Sequence, residues 1–139
     1  MSQLEPPPGY RAHPHFDPFE DRIGPLWLSD EGGDLRFGFG ATAMHCNTGG
    51  TVHGGMLMTF ADFALCTVGC WDVIETERCV TVSLNCDFVA AGREGDWIEA
   101  RAEIVRRTRS LTFVRGLVSC GDRALLNFSG VARRFERGS

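Results

Sequence analysis

The stretch from Gly54 to about Cys70 limits what this chain can become. Its middle reads Met56, Leu57, Met58, Thr59, Phe60, Ala61, Asp62, Phe63, Ala64, Leu65, Cys66, Thr67, Val68, apolar almost all round, with Asp62 as its only charge. Length and content predict a helix, and a helix apolar on nearly every side has to be buried on most of them. The material for that burial follows in sequence. Beyond Trp71-Asp72 the period changes to two: Val80, Val82, Leu84, Cys86 and Phe88 alternate with Thr81, Ser83, Asn85 and Asp87, the pattern of a long half-buried strand. Gly92-Arg93-Glu94-Gly95-Asp96 reads as a hairpin turn, and Ile98, Ala100, Ala102 and Ile104 alternate with Glu99, Arg101 and Glu103 in a second strand. Leu111–Cys120 and Ala124–Phe135 form two more around the turn dipeptide Gly121-Asp122.

Ahead of the helix, Leu26–Ser29 and Leu35–Thr42 flank Glu31-Gly32-Gly33 as a hairpin. Phe16 to Ile23 reads as a short helix, with Asp17 as N-cap and Pro18 at the first helical position. Residues 1–15 hold four of the six prolines and read as an irregular arm. The prediction is an α+β domain over 24–139, one long central helix wrapped by a curved antiparallel sheet of about six strands, preceded by an arm with a short helix over 1–23. One helix covers one face of such a sheet. The outward Leu111, Phe113 and Leu117, with Arg115 among them, leave apolar area to cover. That predicts a homodimer at minimum, with a homotetramer favoured.

The whole chain, 139 residues and 15.3 kDa, is the size of one domain. A formal net charge of −4 and a pI near 5.5 argue against a nucleic-acid partner. His45, Asn47, His53 and several glycines interrupt the uncharged stretch Met44–Ala61, which argues against a membrane span. Met1–Tyr10 lacks the basic and apolar regions of a signal peptide, so the chain reads as cytoplasmic, with Cys46, Cys66, Cys70, Cys79, Cys86 and Cys120 as free thiols. All 14 basic residues are Arg, which leaves no lysine for Schiff-base or P-loop chemistry.

Two features carry chemistry. His53-Gly54-Gly55 opens the helix, where free backbone N–H groups and the macrodipole can hydrogen-bond a developing oxyanion. The same glycines also serve a tight loop-to-helix turn. Asp62 is the second feature. An unpaired buried carboxylate is costly, so it either pairs with an Arg or has a function. Gly54 and Asp62 are separated by about 12 Å along one helix, too far for one carbonyl carbon to touch both. If they serve one reaction, they come from different subunits across a two-fold axis. A metal site would have to be built from His45, Cys46, His53, Cys66 and Cys70, whose spacing matches no zinc pattern; no metal or other cofactor is expected. Cys46 with His45 or His53 lacks the orienting motif of a nucleophile pair. Phe60, Phe63, Met56, Met58 and Trp71 line a ligand pocket or belong to the core, and helical spacing favours the core for most.

Asn47-x-x-Gly50-x-Val52-His53-Gly54-Gly55, with Asp62 seven residues beyond Gly55, resembles the signature of the hotdog-fold thioesterases of the phenylacetate-degradation (PaaI-like) type. The strand Thr81–Phe88 is similar to that family's strand after its helix, and the resemblance spans about residues 24–135. It implies hydrolysis of acyl-CoA thioesters, aryl or medium-chain, in a site shared by two subunits. By resemblance, the Gly54 N–H polarises the thioester carbonyl, with Gly55 beside it. Asp62 of the partner acts as general base or nucleophile, Asn47 positions the water or leaving thiol, and His53 orients. Thr81 supplies a hydroxyl that assists the water, with Ser83 on the same strand taken as substrate-binding. Two departures bear on the nucleotide: Val89-Ala90-Ala91 replaces a basic residue and Pro, and Thr108-Arg109 replaces Gly-Arg or Gly-Lys. Arg109, near Arg106 and Arg107, either meets the CoA phosphates or lies on a solvated turn. A hotdog hydratase or dehydratase, and a non-catalytic hotdog protein that binds an acyl or aryl ligand, are the alternatives.

Overall fold

The computed structural model describes residues 4–13 and 17–138. Its central helix α2 runs Gly54–Cys70, the predicted segment, and buries eleven of its 17 residues. Phe60, Ala61, Ala64 and Leu65 are fully enclosed. The residues left open are Gly54, Gly55, Met58, Thr59, Asp62 and Cys66. Their spacing of three and four places them in one stripe along the helix. With the short 3₁₀ turn that follows it, the segment Gly54–Val73 is long and apolar enough by composition to cross a bilayer (mean hydropathy 1.4). The composition argument against a span therefore fails for this segment, and packing decides instead. Strands cover the helix on every side but the stripe.

Among the described residues, seven strands form one antiparallel sheet around α2. They are β1 (Arg11–Ala12), β2 (Trp27–Ser29), β3 (Arg36–Gly40), β4 (Glu77–Phe88), β5 (Trp97–Arg107), β6 (Leu111–Cys120) and β7 (Arg123–Glu136). Their spatial order is β1-β2-β3-β5-β6-β7-β4. The seventh strand, absent from the sequence reading, is β1, a two-residue piece of the proline-rich arm that pairs with β2. The hairpins β2–β3 and β6–β7 form as predicted, with Phe37 and Phe39 of β3 fully buried. Phe39 packs edge-on against Phe60 (centroids 4.8 Å apart), as Phe37 does against Phe63 (5.2 Å).

Two expectations for the strands after the helix need correcting. Residues 92–96 make a turn but not a hairpin: β4 pairs with β7 at the edge of the sheet, whereas β5 lies in the interior between β3 and β6. Alternation identifies a strand and says nothing of its neighbour. The 92–96 turn instead braces the loop before α2, accepting the Val52 N–H on Gly92 (2.8 Å) and donating the Gly95 N–H to Ala41 (2.8 Å). The alternation of β4 also breaks. A register shift between Thr81 and Ser83 makes Val82 a bulge. Cys79 and Thr81 point toward α2, and beyond the bulge Leu84 and Cys86 do, which leaves Val80 and Val82 exposed. The cysteines differ too: Cys70 at the end of α2 is joined to Cys79 of β4 by a disulfide, and only Cys46, Cys66, Cys86 and Cys120 are free.

The arm is docked. Tyr10 donates its hydroxyl to Glu99 of β5 (2.8 Å), and its ring meets Trp97 edge-on. Helix α1 spans Pro18–Ile23, capped by Asp17 Oδ1, which accepts from the Phe19 and Glu20 amides (2.9 and 3.0 Å). The predicted start at Phe16 lies outside the described residues.

Candidate functional site

The loop into α2 is closed by Asn47. Its Oδ1 accepts from the Gly49 and Thr51 amides (2.9 and 3.3 Å), and its Nδ2 donates to the Thr51 hydroxyl (2.8 Å). Gly50, at φ +81°, takes the left-handed conformation that this turn requires. His45 is the buried post behind the loop. Its Nδ1 accepts from the Thr42 amide and its Nε2 meets the Ile23 carbonyl (2.6 Å), tying the loop to the end of α1. The His45 carbonyl in turn accepts the His53 N–H (2.8 Å).

These contacts decide which amides stay open at the helix start. His53 caps α2, its Nδ1 accepting from the Gly55 N–H (2.9 Å). The neutral ring therefore carries its proton on Nε2. Met56 and Leu57 donate to the His53 carbonyl. Among the described residues the Gly54 N–H has no partner. The Phe88 ring of β4 lies beside it, since a Cβ on Gly54 would sit 3.3 Å from Phe88 Cε1. The exposed ring is a neighbour of the helix start that the alternation pattern did not single out.

Two turns along the helix, on its open stripe, Asp62 accepts a short hydrogen bond from the Thr81 hydroxyl through Oδ1. The Cys66 sulfur lies 3.3 Å from the same hydroxyl. Among the described residues no Arg pairs with Asp62, so the ion-pair reading of this residue is not what forms. Asp62, Thr81, Cys66 and Phe63 line a cleft of about 510 Å³ that continues past the Cys70–Cys79 disulfide to Glu77, Arg78 and Arg137. Glu20 of α1 is on the same wall. Burial raises its carboxyl to about 7, and the charges of Asp17, Asp62 and Asp21 push the same way. Sequence reasoning found α1 but not Glu20, because capping residues locate a helix start without revealing what the helix packs against. Burial likewise raises the Cys66 thiol to about 11 and holds the Cys46 thiol above its usual range, which keeps both protonated at neutral pH.

The other candidates lie apart. The bulge at Val82 turns Ser83 to the opposite face of the sheet from Thr81, where it lines a shallow depression with Asn85, Val105 and Phe113. Arg109 sits exposed on the β5–β6 turn, whose carbonyls at Thr108 and Arg109 accept from Arg134 (2.7 and 2.8 Å). Arg107 is committed to a bidentate pair with Asp72 just past α2 (2.6 and 2.6 Å). Met56, Phe60 and Phe63 are core residues, and Met58 is exposed on the stripe. No group of three His, Cys, Asp or Glu side chains among the described residues is arranged to hold a metal.

One long central helix wrapped by one curved antiparallel sheet defines a protein of the hotdog fold. The chain belongs to the thioesterase superfamily, whose family model matches residues 49–126. It is 31% identical over 126 residues to a Pseudomonas aeruginosa protein provisionally named as an esterase, PA0474, covering 90% of this chain and 94% of that one. Among solved structures, a point mutant of the phenylacetic acid degradation protein PaaI from Thermus thermophilus is 27% identical, with a TM-score of 0.74 over 86% of this chain and all of that one. The Escherichia coli PaaI protein shares the fold at 21% identity, with a TM-score of 0.72 over 86% of this chain and 85% of its own.

Proposed function

We propose that the protein hydrolyses acyl-CoA thioesters, aryl or medium-chain, to the free acid and CoA in a site completed by a second copy of the chain. The observation that carries this reading is the pairing of an open Gly54 N–H at the start of α2 with Asp62 on the one uncovered stripe of the same helix. The two are about 12 Å apart along the axis, so each active site takes Gly54 from one subunit and Asp62 from the other. The open stripe supplies the packing surface for the partner helix, and the free edge of β4 supports continuation of the sheet across the two-fold axis.

The thioester carbonyl oxygen accepts the Gly54 N–H and gains charge against the positive end of the helix. Asp62 takes the proton of the attacking water, or attacks the carbonyl carbon itself; either route needs its carboxylate ionised. Thr81 holds Oδ1 and leaves Oδ2 to the reactant. The tetrahedral adduct expels the thiolate, which takes a proton. With water as the attacker this gives the acid directly, and with Asp62 as the attacker it gives an Asp62–acyl anhydride that water then hydrolyses. On either route thioester and water become acid and thiol. His53 keeps the Gly55 amide occupied and Asn47 fixes the loop, roles that position the one amide left open. Arg109 is free to meet the CoA phosphates from the β5–β6 turn.

Release of free CoA from a panel of aryl- and alkyl-CoA thioesters tests the reading, with a protein-only blank for the four free thiols. The expected result is turnover by the wild type that falls at least ~100-fold in Asp62→Asn with the assembly intact. Tight ligand binding without turnover would instead identify a non-catalytic binding protein.

A further inference from the structure

The cleft beside Asp62 contains a second carboxyl that the mechanism above does not use. Glu20 of α1 and Asp62 of α2 border one cleft, with Asp17 also lining it. Glu20 also borders a neighbouring depression shared with Ala12, Gly24 and Pro25, so it is reached from two sides. Among the described residues neither Glu20 nor Asp62 has a cation within salt-bridge distance.

The titratable groups around Glu20 are few. Asp17 and Asp21 share its helix, Asp62 and Cys66 face it from α2, and His13 faces it from the arm. Glu77 and Arg78 of β4 and Arg137 beyond β7 line the far end of the cleft. There Glu77 lies 3.6 Å from Arg134, and Arg137 donates to the Ile74 carbonyl (2.8 Å). The immediate surroundings of Glu20 are therefore acidic.

We propose, resting on the thioesterase reading, that Glu20 is a positioning residue that acts through Asp62, its ionised carboxylate making Asp62 the stronger base or nucleophile. Two carboxylates on one cleft repel. As Asp62 accepts a proton or bonds to the acyl carbon, its charge leaves for the carbonyl oxygen at the helix start. An ionised Glu20 destabilises the starting charge more than the displaced one, which lowers the barrier. Glu20 forms no bond to the substrate, and its proton goes to solvent as the pH rises. Burial keeps that proton on until about pH 7. The turnover rate therefore rises with pH through that region and levels off above it.

The test is the pH dependence of kcat and KM for the full chain between about pH 5.5 and 9, comparing wild type with Glu20→Gln, Glu20→Asp and His13→Gln. Glu20→Gln should abolish the rising limb near 7 and lower kcat on the plateau about three- to tenfold with KM little changed. Glu20→Asp should restore part of the limb. A limb that survives Glu20→Gln, or that disappears in His13→Gln, overturns the proposal and leaves the thioesterase reading standing. Absence of any turnover overturns both. Carboxyl-carbon NMR on the same chain gives a second readout, with Glu20 expected to titrate near 7 and lower in Asp62→Asn. A Glu20 midpoint that does not move in Asp62→Asn would overturn the coupling whatever the activity.

Discussion

At Asp62 the polar contact and the helix address one another. A carboxylate at this position would be a liability in a helix wrapped on all sides, and it is tolerated because the stripe is open and Thr81 donates to it. The bulge at Val82 is what permits that donation, since it keeps Thr81 turned toward α2 while Leu84 and Cys86 also face inward. Replacing the hydroxyl should loosen the carboxylate without disturbing the strand. Thr81→Val is expected to lower kcat about tenfold and KM less, with Thr81→Ser close to wild type. Steady-state kinetics on the best thioester of the panel reads this directly. Equal losses in kcat for the Val and Ser variants would remove the hydroxyl from the mechanism.

Among the elements, α2 was legible because its apolar run is long and its start is marked by His53-Gly54-Gly55, and no other helix among the described residues approaches its length. The strand identities followed from period two. What alternation cannot carry is adjacency, so β4 and β5 read as a hairpin although β4 belongs at the sheet edge beside β7. Nor can it foresee a bulge, which is why Ser83 was grouped with Thr81 although it faces the other way. The disulfide was invisible for a related reason: Cys70 and Cys79 are close only after the chain reverses between α2 and β4. The motif marked Asn47, Gly50 and His53 as belonging to the loop into α2, but not the contacts that Asn47 and His53 make with the Gly49, Thr51 and Gly55 amides, and it was silent at Glu20, whose surroundings come partly from another part of the chain. Packing of α2 sets the stability of the whole. Leu65 is fully buried at its centre, and its Cδ1 occupies the space that a side chain at Gly130 of β7 would need. Leu65→Ala should cost about 2–5 kcal/mol in chemical denaturation. A loss under about 1 kcal/mol would mean that α2 is less tightly held than its burial implies.

For the whole molecule, the proposed activity depends on two chains sharing a site. The monomer has an open helix stripe, a free strand edge on β4 and a proposed catalytic pair divided by two turns of helix. All three are satisfied at once when a second copy packs its α2 antiparallel to the first. The most direct measurement is complementation between two inactive variants. Gly54→Pro removes the open N–H at a helix position where proline is well accommodated, and Asp62→Asn removes the carboxylate. Neither variant alone should turn over thioester appreciably. Co-expressed in equal amounts, half of the dimers are mixed, and each mixed dimer has one site with both an intact Gly54 and an intact Asp62, so about one quarter of wild-type activity should return. Activity that stays at the level of the two parents, in a preparation shown to contain mixed dimers, would contradict the shared site.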